Sequence, residues 1–184
     1  ADGNVIRTLS SESPKNFESY DGGPPPPQLI PKKEGLNRFV WNMRHETMPG
    51  VPGVYIEASY RGHVASPGEY TVKLKVKDQV YETKGKIIAN PLYETEPGQY
   101  EKYDMLMSEM EEALTKMHEK VNTLKSVQDQ ISTLVEDIED NELKKQGEEI
   151  VEALKQWDED MVQRKTQAYD DVENFPNKFT AEYL

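Results

Sequence analysis

The chain contains no cysteine. That removes disulfides, thiolate metal sites and thiol nucleophiles together, and it leaves the redox compartment open. No apolar run approaches the ~20 residues that a membrane-spanning helix needs. Positive charge is also short, with a formal net charge of -12. The deficit is uneven: residues 1–93 carry 12 Lys+Arg against 10 Asp+Glu, a net of +2, whereas residues 94–184 carry 10 against 24, a net of -14. Nucleic acid and anionic lipid both require basic patches, so the acidic half argues against either partner; with no long apolar run, membrane insertion is not expected. The acid itself reads as a solvated helix surface. Past Gly98, glycine and proline are reduced to Gly147 and Pro176.

What is present changes character near residue 93. Before it, apolar residues alternate one in two between Pro and Gly punctuation; after it, they recur every three or four residues. These are the periods of strand and helix. The expected class is α+β: a small antiparallel immunoglobulin-like β-sandwich over 1–93, then a long antiparallel helical hairpin over 94–184. Ala1-Asp2-Gly3-Asn4 reads as a turn, which predicts a piece of a longer protein. Strands are expected at Asn4–Leu9, Leu36–Met43 and Val54–Tyr60, and in a hairpin of Glu69–Lys77 and Val80–Ile88 turning at Asp78-Gln79. In that hairpin Tyr70, Val72, Leu74 and Val76 should face a core, with Thr71, Lys73, Lys75 and Lys77 in water. Trp41 is the expected core anchor. Pro24-Pro25-Pro26-Pro27 forces a short polyproline II connection on the surface.

From Gln99 to Ile138 a 3-4 seam runs through Tyr103, Met107, Met110, Leu114, Met117, Val121, Leu124, Gln128, Ile131, Val135 and Ile138. The polar stretch at 137–142 should turn the chain. A second helix then runs from Leu143 towards Lys165. Folding back sets Gly147 near Ile131, Leu154 near Leu124 and Trp157 near Val121. The methionines from Met105 to Met117 are expected in that seam. Asn174-Phe175-Pro176-Asn177 stops the pattern, and Phe179, Tyr183 and Leu184 begin another face, so the chain reads as a truncated three-helix bundle.

Chemistry is sparse. His45, His63 and His118 have no second histidine three or four residues away, and a zinc site needs at least three convergent ligands. His63 is read as a loop residue and His45 as a strand-end residue. Glu111-Glu112, Glu148-Glu149, Asp158-Glu159-Asp160 and Asp170-Asp171 lie on expected exposed helix faces, where solvation keeps both members ionised instead of separating acid from base. No phosphate loop, G-x-S-x-G or EF-hand spacing occurs. No residue is therefore assigned a catalytic, cofactor-binding or metal-binding role, and no cofactor is expected.

Three stretches invite comparison: Asp2-Gly3-Asn4-Val5-Ile6-Arg7-Thr8-Leu9, Gly35-Leu36-Asn37-Arg38-Phe39-Val40-Trp41-Asn42-Met43-Arg44, and Pro67-Gly68-Glu69-Tyr70-Thr71-Val72-Lys73-Leu74. Together they resemble an immunoglobulin-like module of the flagellar hook-cap type. More narrowly, they resemble the C-terminal region of secreted bacterial sortilin-like or sialidase-type β-propeller proteins, often labelled glycosyl hydrolases. In that group a helical segment follows, with a stretch like Asn174-Phe175-Pro176-Asn177-Lys178. The chain departs from the pattern at Trp41-Asn42, where Trp-Asp is usual, and at Asp78-Gln79, where Asp-Gly is common. The resemblance implies a non-catalytic accessory module of a secreted, periplasmic or cell-surface protein. Its implied partner is the N-terminal β-propeller of the same polypeptide. Two alternatives stay open: a glycan ligand stacked on Tyr55, Tyr60, Tyr81 or Tyr93, and self-association through the heptad seam.

Overall fold

The computed structural model describes residues 3–56, 59–166 and 175. The class is α+β. Strands β1 (Gly68–Val76) and β2 (Gln79–Ile87) form a two-stranded antiparallel sheet, followed by helices α1 (Gln99–Glu136) and α2 (Asn141–Met161). The chain divides into two compact units that interleave in sequence. The first comprises Ala1–Glu12, Gln28–Glu46 and Gly62–Met110; the second comprises Ser13–Pro27, Thr47–Arg61 and Glu111–Leu184.

Of the expected strands, only the hairpin pair forms a ladder among the described residues. The segments 4–9, 36–43 and 54–56 carry no ladder, and isolated bridges join Ser10 to Leu29 and Arg44 to Val64. Alternation marks which side chains share a face, but it does not supply a pairing edge. At Met43, the last residue of the second expected strand, the backbone enters the left-handed region (φ 56°). Val54, Ile56 and Tyr60 are buried, but in the loop core of the second unit. Trp41 is half-buried; its Nε1 donates to the Arg44 carbonyl at 3.0 Å and its ring meets Tyr70 edge-on.

The hairpin register pairs Val76 with Gln79, so Lys77-Asp78 make the turn, one residue earlier than expected. Lys77 adopts φ 53°, the positive φ that two-residue hairpin turns use to match strand twist. Lys73 and Glu82 face each other across the strands and pair at 2.7 Å. The opposite face carries Val72, Leu74 and Val76, with Tyr81 directly across from Leu74. Val72, Leu74 and Val76 were expected to face a core, yet they are 54%, 49% and 48% exposed, and Tyr81 beside them is 55% exposed.

The helices follow their seam more closely. Helix α1 has 38 residues, roughly 57 Å at 1.5 Å per residue. It ends two residues before Ile138. Asp140 caps α2, its carboxylate accepting from the amides of Glu142 (3.0 Å) and Leu143 (2.9 Å). Gly147 faces Val135, where a Cβ would lie 2.3 Å from Val135 Cγ2, and not Ile131 as the fold-back predicts. At this pair the chain reverses nearer to Asn141, while Trp157 packs against the core that contains Val121. Val162 ends α2 in an extended conformation, short of Lys165. The methionine stripe is only partly covered, since Met105 is 60% and Met110 49% exposed. The expected third helical face and the Asn174–Lys178 motif, Phe175 aside, lie outside the described residues.

The second unit has the clearest core. Val51, Val54, Ile56 and Tyr60 from the 47–61 loop pack with Val121 and Val162, and Trp157 and Met161 lie against them. Pro24 sits beside Gly50, where a Cβ would come within 2.6 Å of its ring. The polyproline run thus rests on this loop.

Candidate functional site

In the first unit, residues 43–45 and 63–65 run antiparallel. The His45 amide donates to the His63 carbonyl (3.0 Å) and the Ala65 amide to the Met43 carbonyl (2.7 Å). Arg44 reaches across to the Gly62 carbonyl at 2.9 Å. Only glycine fits at position 62, because a Cβ there would lie 2.3 Å from the Glu46 carbonyl oxygen and 2.7 Å from the His45 carbonyl carbon. This close backbone approach brings two histidines together. Their ring centroids are 3.7 Å apart with a tilt of 31°, and a nitrogen of each lies within 4.8 Å of the other. Arg7 steadies the arrangement, donating to the His45 carbonyl (2.9 Å) and pairing with Glu46 (3.2 Å).

The first turns of α1 complete the surroundings. Asp104 Oδ1 lies 3.6 Å from His63 Nε2, whose side chain is fully buried, and Tyr103 meets the same imidazole edge-on. Ser66, also buried, donates its hydroxyl to Asp104 at 2.6 Å. The Tyr70 hydroxyl donates to the Ser66 carbonyl at 2.6 Å; its pKa is raised by burial first and by the Asp104 charge second. Ser66, Asp104 and His63 do not form a nucleophilic triad. There the imidazole stands between acid and hydroxyl and takes the hydroxyl proton; here the carboxylate is in the middle, and the hydroxyl proton points to it. The cluster is a polar clamp of two stacked imidazoles and one carboxylate that faces His63. Those are donor types that first-row transition metals accept.

Sequence spacing missed this pair. His45 and His63 are 18 residues apart, so no helical rule connects them; the signal was Gly62, whose reason is a tertiary contact.

His118 belongs to the second unit and does something different. It is completely buried, and its Nδ1 lies 2.7 Å from the Pro49 carbonyl, which fixes Nδ1 as the protonated donor. Asn122, one helical turn on, donates to the Gly50 carbonyl at 2.8 Å. Tyr60 meets the His118 ring edge-on. Burial pushes the His118 pKa down, partly opposed by the Pro49 hydrogen bond. This histidine anchors a loop.

Among the tyrosines considered for sugar stacking, Tyr60 is 3% exposed and Tyr55 donates to Asp21 at 3.1 Å; Tyr81 and Tyr93 are open to solvent. Of the acidic runs, Asp158 is not a merely solvated carboxylate. It receives Arg164 through two hydrogen bonds of 2.6 and 2.8 Å, and Arg164 also donates to the Pro52 carbonyl at 2.6 Å. Asp170-Asp171 lie outside the described residues. No described helix is long and apolar enough to cross a membrane.

No family model, curated protein or solved structure matches this chain.

Proposed function

We propose that the chain is a non-catalytic interaction module that docks through the apolar face of its β-hairpin. The observation that carries this reading is the open face of Val72, Leu74, Val76 and Tyr81. A two-stranded hairpin is marginal in water by itself, and alternating apolar residues on one face are the pattern of a half-buried sheet. Covering ~200 Å² of that face contributes about 5 kcal/mol before the cost of association. The partner is the β-propeller of the same polypeptide, in a secreted, periplasmic or cell-surface protein. In this reading the hairpin belongs to an immunoglobulin-like sandwich whose face closes on docking. The propeller rests on the sequence resemblance, and the open face supplies the surface that would meet it.

The test is calorimetric titration of the chain with the propeller supplied as a separate polypeptide, using the parent chain and Leu74→Lys. Saturable binding that Leu74→Lys weakens tenfold or more supports the reading. Equal binding by both chains, or none by either, refutes it. If sedimentation instead shows a dimer that Leu74→Lys dissolves, the same face serves a second copy of the chain.

A further inference from the structure

We infer that His45 and His63, with a carboxylate from the facing side of α1, form a binding site for a divalent transition-metal ion of the zinc type. The inference is independent of the docking reading, because none of these residues lies on the hairpin.

Three observations lead to it. First, the two imidazoles are brought together by backbone and not by chance rotamers. His45 and His63 sit on paired segments, held by the 3.0 Å amide hydrogen bond between them and by a glycine that nothing larger can replace. Second, Asp104 stands 3.6 Å from His63 Nε2. That is beyond an ordinary hydrogen bond of ~2.7–3.2 Å. It is close to the ~3.4 Å that separates two ligand atoms each ~2.1 Å from a tetrahedral ion. Third, the carboxylate is already oriented. Ser66 donates to the same Asp104 oxygen from a buried position, and Tyr70 in turn donates to the Ser66 carbonyl. Outer hydrogen bonds of this kind fix a ligating carboxylate before the ion arrives.

The donor set selects the ion. Neutral imidazole nitrogen suits zinc, cobalt, nickel and copper, whereas magnesium and calcium prefer all-oxygen shells. Two imidazoles and one carboxylate leave a fourth tetrahedral position for water or a second carboxylate. The ion would tie the 43–46 and 62–66 segments to the first turns of α1, a structural clamp in a chain that has no disulfide to do this.

The experiment uses the full, tag-free chain. Zinc titration is followed by calorimetry, and Co²⁺ is added separately to read the visible absorption of a tetrahedral N/O site. The expected result is one saturable zinc site per chain, a tetrahedral cobalt spectrum bleached by zinc, and no competition from a large excess of Mg²⁺. His45→Gln is the primary variant because His45 is only half-buried; it should weaken zinc at least tenfold and abolish the cobalt spectrum while the far-ultraviolet circular dichroism stays unchanged. Asp104→Asn removes the oriented carboxylate and should also weaken zinc at least tenfold. His118→Gln, in the second unit, should leave the affinity unchanged. Absence of stoichiometric binding, or zinc affinity undiminished in His45→Gln, overturns the inference.

Discussion

Replacing Gly147 by alanine tests the helical hairpin directly, because two effects of opposite sign meet there. In an isolated helix, Gly→Ala stabilises by about 1 kcal/mol. In this chain the new methyl would lie 2.3 Å from Val135 Cγ2, and Val135 is a buried, β-branched residue with little freedom to move aside. Overpacking of that kind costs roughly 1–3 kcal/mol, and at such a short separation the upper part of the range applies. The net expectation is destabilisation by about 1–2 kcal/mol. Val135→Ala alone removes two buried methyl groups and costs about 1.6 kcal/mol at ~0.8 kcal/mol each. In the double variant the clash is gone, so the helix preference returns and the new methyl fills part of the space. The double-mutant cycle should therefore show a favourable coupling of about 2–3 kcal/mol. Urea unfolding monitored by helical circular dichroism measures all four corners. Ile131→Ala, at the position expected from the fold-back, should show coupling within about 0.5 kcal/mol of zero. If Gly147→Ala stabilises the chain with Val135 intact, the close approach of the two helices is wrong.

Two further outcomes follow from single residues. Burial holds the His118 pKa below its ordinary 6.5, so the unfolded chain takes up a proton that the folded chain excludes. Stability is then full above the ordinary value and declines as pH falls through the window beneath it; the melting temperature should drop between about pH 7 and 5, and His118→Gln should flatten that slope. Parallel curves for the two proteins would count against the burial argument. At the start of α2, Asp140→Ala should cost about 1 kcal/mol in urea unfolding by losing the cap to Glu142 and Leu143, while Asp140→Asn should be nearly neutral. An equal loss in both variants would mean that the cap is not what the side chain contributes.

Local pattern was legible wherever the signal was periodic and long. The 3-4 spacing from Tyr103 to Val135 determined α1, the polar stretch around Asp140 determined its end, and alternation from Tyr70 to Val76 determined a strand. These follow from the backbone period of each element and need no partner. The absence of cysteine likewise excluded disulfides outright.

Tertiary structure decided what each apolar face meets. The same alternation that makes β1 a strand leaves Leu74 half exposed, because period two chooses a side and not a covering layer. Val54 and Ile56 read as strand residues yet serve a loop core, since burial depends on the elements brought alongside them. Gly147 was visibly unusual for a helix, but only the packed pair shows that Val135 is the residue it admits. The histidine pair is the sharpest case. His45 and His63 share no helical or strand spacing, and their meeting depends on a backbone approach at Gly62 that exists only once the chain has folded.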